Sequence, residues 1–140
     1  MKKIFILFIW LAFTSLNANN HQGMALSAKR GNVQAQYDLG LLYKHGQGKT
    51  KNLKDAFKWM HKSALKGYTP AQYEFALMFH YGIGVKQNLE LARLWFTRAS
   101  KGGDSRAKSI LYRFYAGKKV NYINKNQRQY YSQNFRTIRQ

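Results

Sequence analysis

The chain repeats itself at a fixed interval, and that interval constrains its fold more than any other feature. Residues 31–66 laid over 67–102 without a gap agree at 11 of 36 positions. The shared residues are Gly31/Gly67, Ala35/Ala71, Gln36/Gln72, Tyr37/Tyr73, Leu41/Leu77, Gly46/Gly82, Gly48/Gly84, Asn52/Asn88, Leu53/Leu89, Ala56/Ala92 and Trp59/Trp95. A third copy opens at Gly103, with Ala107, Leu111 and Tyr115 in phase with Ala71, Phe75 and Phe79. A period of about 20–50 residues marks an array whose units bury their apolar faces on one another. A chain of 140 residues built this way makes one domain.

Each copy reads as two helices. In AQYDLGLLYKH, Ala35, Leu39, Leu42 and Tyr43 recur at spacings of three and four, which gives one apolar stripe. Gly40, matched by Ala76, lets a neighbouring helix come close. The loop GQGKTKN, matched by GIGVKQN, stops the first helix with glycines that accept positive φ. Asn52 and Asn88 follow where an N-cap is wanted. The second helices, LKDAFKWMHKSALK and LELARLWFTRASK, carry Leu-x-x-Ala-x-x-Trp and end at Gly67 and Gly102-Gly103. Pro70 stands at the start of the next helix, where no N–H is needed.

These motifs resemble the Sel-1-like repeats, helical-pair relatives of the tetratricopeptide repeat. The likeness rests on Ala-x-x-x-Leu-Gly-x-x-Tyr-x-x-Gly-x-Gly followed by Ala-x-x-Trp, and it covers residues 31–117. In the second copy Ala76 and Phe79 replace the motif's Gly and Tyr. The resemblance implies an all-α fold: a short right-handed α/α superhelix of antiparallel helix pairs, about two and a half repeats long. The units run 31–66 and 67–102, with a partial third at 103–117. Residues 19–30 read as the tail of a preceding helix, since Met24 and Ala28 are in phase with Met60 and Ala64. Residues 118–140 read as a polar, basic capping helix or tail, with the helix expected at about 121–135.

The N-terminus reads as a targeting segment. Met1-Lys2-Lys3 precedes the apolar run Ile4 to Phe13, and a polar stretch follows at once. A membrane-spanning helix needs about 20 apolar residues, so the run suits a secretory signal peptide over 1–18 with cleavage after Ala18. The expectation is bacterial export, to the periplasm or beyond. With no cysteine, the chain has neither disulfides nor thiolate metal sites.

Candidate chemistry fails on context. Gly48-Lys49-Thr50 copies the end of a phosphate-binding loop, but Tyr43 stands where that motif needs a glycine, and a helix precedes it in place of a strand. Ser63-x-x-Lys66 and Ser105-x-x-Lys108 spell the serine–lysine pair of penicillin-recognising hydrolases without that chemistry's other two motifs. His21, His45, His61 and His80 share no metal-ligand spacing and read as scattered and solvated. Asp38 and Glu74 are repeat equivalents and read as a solvated helix face. The expectation is a non-enzymatic protein with no catalytic residues, metal or cofactor.

A partner would therefore bind by surface. If the tetratricopeptide arrangement carries over, the first helix of each pair lines a concave face, presenting Tyr37, Leu41 and Lys44, then Tyr73, Leu77 and His80, then Ser109 and Arg113. Gln34, Pro70 and Arg106 would form its edge, and His45 and Tyr81 its far rim. Aromatic and aliphatic bodies beside cations suit a protein or peptide with acidic and apolar residues. Tyr37 and Tyr73 serve packing equally well; Lys44, Arg106 and Arg113 show no packing duty in sequence. The alternative surface is the C-terminal third, where nine Lys and Arg lie between Arg106 and Arg139 with no Asp or Glu. On a chain of formal charge +19, that patch suits an anionic lipid or polysaccharide surface. Export argues against nucleic acid.

Overall fold

A computed structural model describes residues 22–47 and 50–116, and these contain six helices and no strand. They are α1 (22–29), α2 (Val33–His45), α3 (Leu53–Leu65), α4 (Thr69–Tyr81), α5 (Leu89–Lys101) and α6 (Ser105–Tyr115). The expected signal peptide, Gly48-Lys49 and the expected helix at 121–135 lie outside the described residues.

The helix boundaries follow from local chemistry repeated once per unit. Asn52 accepts from the Lys54 and Asp55 amides, both at 3.1 Å, and Asn88 from the Leu91 amide at 3.0 Å. Asp104 does the same for α6, accepting from Arg106 and Ala107 at 2.9 and 3.0 Å. Each satisfies donors that a helix start leaves orphaned. α4 lacks a side-chain cap, and Pro70 in its first turn removes one orphaned donor instead. Thr69 precedes that proline inside the helix, so Pro70 is one residue later than the helix start read from sequence. At the other ends, Gly46 and Gly82 adopt φ of 74° and 70° and donate to the carbonyls of Leu42 and Met78.

Successive helices pack in chain order: α2 on α3, α3 on α4, α4 on α5 and α5 on α6. The main core joins both units through Phe75, which meets Phe57 at 4.8 Å and Phe79 and Trp95 at 5.0 Å. Met60, Met78 and Phe96 are fully buried around it. A smaller cluster of Ala28, Ala35 and Leu39 ties α1 to α2. Gly40 is the close-approach position: a Cβ there would lie 3.1 Å from Met60 Cε and 3.3 Å from its backbone nitrogen. Gly84 is tighter still, since a Cβ would overlap the Leu53 carbonyl and its φ is +70°.

Polar side chains tie each turn to the one before. Gln36 Nε2 donates to the Ala28 carbonyl at 3.0 Å, and its repeat equivalent Gln72 to the Ala64 carbonyl at 3.3 Å. Ser63, fully buried, donates to the Val33 carbonyl at 2.6 Å, and Lys66 Nζ to the Gly31 carbonyl at 2.6 Å. These two residues of a Ser-x-x-Lys motif thus hold the ends of α2 and α3 together. His45 is exposed as expected, and His61 departs from the solvated reading. His61 is only 4% exposed, packs against the Phe75 ring at 5.1 Å, and burial lowers its pKa to about 4.

Candidate partner-binding face

The first helices of the units, α2, α4 and α6, touch through side chains and so form one face. Lys44 Nζ on α2 meets Glu74 Oε2 on α4 at 2.7 Å. The Arg106 guanidinium on α6 sits 4.1 Å from the centre of the Tyr73 ring. His80 Nδ1 and the Tyr115 hydroxyl are 2.6 Å apart, and the Phe114 ring lies 5.5 Å from His80. Burial lowers the His80 pKa and raises that of Tyr115 to about 12. Near neutral pH the imidazole is therefore uncharged, and the bond joins it to a protonated phenol.

The expected site residues divide into two groups. Tyr37 and Tyr73 are half-buried. Tyr37 stacks edge-on against Tyr68 at 5.4 Å, and Tyr73 lies 5.8 Å from Phe96. Burial first, then the Glu74 carboxylate, raises the Tyr37 pKa; burial also raises that of Tyr73. Both phenols remain protonated donors. Leu41 and Leu77 are half-buried against the main core. Tyr81 is 63% exposed and rests on His80 at 4.7 Å. Arg113 is exposed, with no carboxylate partner among the described residues.

Four expectations are corrected. Lys44 has a packing duty: its pair with Glu74 leaves the two side chains only 18% and 15% exposed. Glu74 accordingly marks a joint between units, not a solvated face. Arg106 has two duties, since it covers Tyr73 and also grips Asp104 through Nη2–Oδ2 at 2.7 Å and Nε–Oδ1 at 3.2 Å. Burial opposes the Asp104 charge, yet the bonds from Arg106 and the Ala107 amide hold its carboxyl below the ordinary range. His80 is no scattered histidine; it is the centre of the joint to α6.

Sequence reasoning missed Phe114 and placed Lys108 and Tyr112 only within the basic C-terminal third. With Ser109 and Arg113, Lys108 and Tyr112 line a shallow depression on the outer side of α6. Tyr112 stands where the earlier units carry Gly40 and Ala76, and a large residue at a small position was the available signal. Among the described residues no group of three or more His, Asp or Glu is placed to hold a metal ion, and no helix is long and apolar enough to cross a membrane.

The Sel1 repeat model matches residues 33–68 and 69–104. The crystal structure of a Sel1 repeat protein from Oxalobacter formigenes is 32% identical over 64% of this chain and 67% of that one, with a TM-score of 0.63. A protective antigen present in uropathogenic Escherichia coli strains, which displays an SLR fold, is also 32% identical. That match covers 71% of this chain and only 22% of the antigen, with a TM-score of 0.65. No curated protein sequence matches the chain. Matched over half its length by two successive repeats and similar in structure to proteins of the same fold, this chain belongs to the Sel1 repeat family, an all-α helical solenoid whose members generally mediate protein–protein interaction and typically act without catalysis.

Proposed function

We propose that this protein is an exported adaptor that holds a protein or peptide partner on the face formed by α2, α4 and α6, with no chemistry of its own. The observation that carries the reading is the row of half-buried Tyr37, Leu41, Tyr73 and Leu77, which runs across two units and ends at the exposed Tyr81 and Arg113. Half-buried aromatic and aliphatic side chains offer large contact area at low entropic cost, which suits an apolar anchor. Because Lys44 and Arg106 are already neutralised by Glu74 and Asp104, the acidic residues of a partner would be drawn to Arg113. Export is the reading of the N-terminal segment, and it accords with the description of one protein of this fold as a protective antigen of uropathogenic Escherichia coli strains.

The test is capture of the partner by the immobilised full chain from its native envelope, after crosslinking. Tyr73→Ala combined with Arg113→Glu abolishes capture while the helical circular-dichroism signal stays intact. Capture unchanged by the pair of substitutions rejects the face.

A further inference from the structure

The outer face of α6 ends the described array, and its chemistry differs from that of the two faces before it. On α4 the equivalent face receives a helix. The buried Phe96 ring of α5 lies between the rings of Tyr73 at 5.8 Å and His80 at 6.1 Å, over the stretch that carries Ala76 and Leu77. One period later those positions are Ser109, Tyr112, Arg113 and Ala116. Tyr112 is 83% exposed and Phe114 47%, whereas their counterparts Ala76 and Met78 are fully buried. The depression lined by Lys108, Ser109, Tyr112 and Arg113 lies where α4 receives Phe96.

Size and charge define what can cover this face. The first two units place Gly40 and Ala76 opposite large residues, and Gly40 leaves barely room for a Cβ against Met60. With Tyr112 at that position the relation is inverted: a helix packing here must present a small side chain opposite the tyrosine. Lys108 and Arg113 are exposed with no carboxylate partner among the described residues, and Asp104 is already held by Arg106. The stretch that follows α6 supplies no acid to neutralise them. The sequence has no Asp or Glu after Asp104, and residues 117–140 carry six Lys and Arg. Ser132 would meet the size requirement, falling one period after Phe96, but its segment brings cations to cations. A second copy brings the same basic face on a chain of charge +19.

We propose that the outer face of α6 is an end-on docking site for an acidic helix of a protein partner, which seats a small residue against Tyr112 and carboxylates on Lys108 and Arg113. The contact prolongs the helix stacking of the array; it shares the register of the Tyr73–Leu77 row at Ser109 and Arg113 and adds Lys108 and Tyr112, so Tyr112 and Tyr37 tell it apart from the adaptor reading. Arg113 belongs to both surfaces, and Tyr37 to the row alone.

The probe is a labelled peptide of residues 88–101, the α5 segment that already packs on α4, carrying Phe96→Ala to make room for Tyr112 and Arg93→Glu, Arg98→Glu and Lys101→Glu. Titrated against the full chain, it binds saturably, and Tyr112→Ala and Arg113→Glu each weaken it about tenfold or more. The peptide that keeps its three cations binds about tenfold more weakly, and Tyr37→Ala leaves binding unchanged. Both substituted α6 side chains are exposed, so the variants keep the wild-type helical signal. Four results each overturn the proposal. They are no saturable binding; equal affinity for the α6 variants, which means charge alone attracts the peptide; affinity raised about tenfold by deleting residues 118–140, which makes the chain's own tail the occupant; and a Tyr112→Cys disulfide joining two copies.

Discussion

The joint between α2 and α4 and the joint between α4 and α6 occupy the same register, one period apart, and are sealed by different chemistry. In the first, Lys44 reaches Glu74 at 2.7 Å, and both side chains are mostly removed from water. In the second, His80 replaces Lys44 and meets Tyr115, with Phe114 and Phe96 around it. The period thus dictates where a neighbour arrives and leaves open what it brings. A charge pair in the first joint is offset by desolvation and contributes little net stability. The aromatic joint gains through buried area, and its end faces water at Phe114 and Tyr112.

The comparison breaks most readily at Phe79 and Tyr115, which hold equivalent positions in successive units. Phe79 is packed by Phe57 at 5.4 Å and Phe75 at 5.0 Å, so Phe79→Ala costs about 4 kcal/mol. Tyr115 meets Phe96 at 6.2 Å beside open surface, so Tyr115→Ala costs about 3 kcal/mol. Urea denaturation measures both. Equal losses would show that the terminal joint is as closely sealed as the internal one.

Acid sharpens the contrast at a smaller scale. His61 is neutral in the fold with a pKa lowered to about 4, and His80 shifts in the same direction, both through burial. The unfolded chain takes up protons first, so stability is full above a pH of about 6.5 and falls as the pH drops toward 4. The loss from His61 is roughly 2–3 kcal/mol by pH 4. A denaturation midpoint flat between pH 7 and 4 would contradict the buried imidazoles.

The charge pair gives the smallest effect. Glu74→Gln leaves the Lys44 ammonium half-buried without its partner and costs about 1–2 kcal/mol in the same denaturation assay. Replacing both residues, Lys44→Met with Glu74→Leu, recovers most of that loss, because packing then covers the joint without desolvated charge.

Local signals carried most of the fold into the sequence. Asn52, Asn88 and the glycines at 46, 67, 82 and 103 announce helix ends because capping and positive φ depend on a few adjacent residues. The Ala stripes and Trp95 fall on buried faces, with Trp59 half-buried, for the same reason: helical spacing is local. What failed was contact between units. Lys44 and Glu74 are 30 residues apart, and His80 and Tyr115 are 35 apart, distances that no helical periodicity reports. A chain with only five carboxylates gave one usable hint: an acid close to one period from a cation on the same type of helix is a candidate joint. His61 was misread because it was weighed for metal-ligand spacing alone, whereas Phe57 stands four residues before it on the same helix and Phe75 packs on it from α4. On the candidate face, Tyr81 and Arg113 are exposed as the sequence implied, while Lys44 and Arg106 are already engaged within the protein.

Amide hydrogen exchange of the full chain, alone and with its captured partner, tests the central claim most directly. The account predicts new protection along α4 between Tyr73 and Tyr81, extending to neighbouring parts of α2 and α6, with α3 and α5 unchanged. Protection confined to α3 and α5 would place the partner on the opposite side of the array and contradict the account.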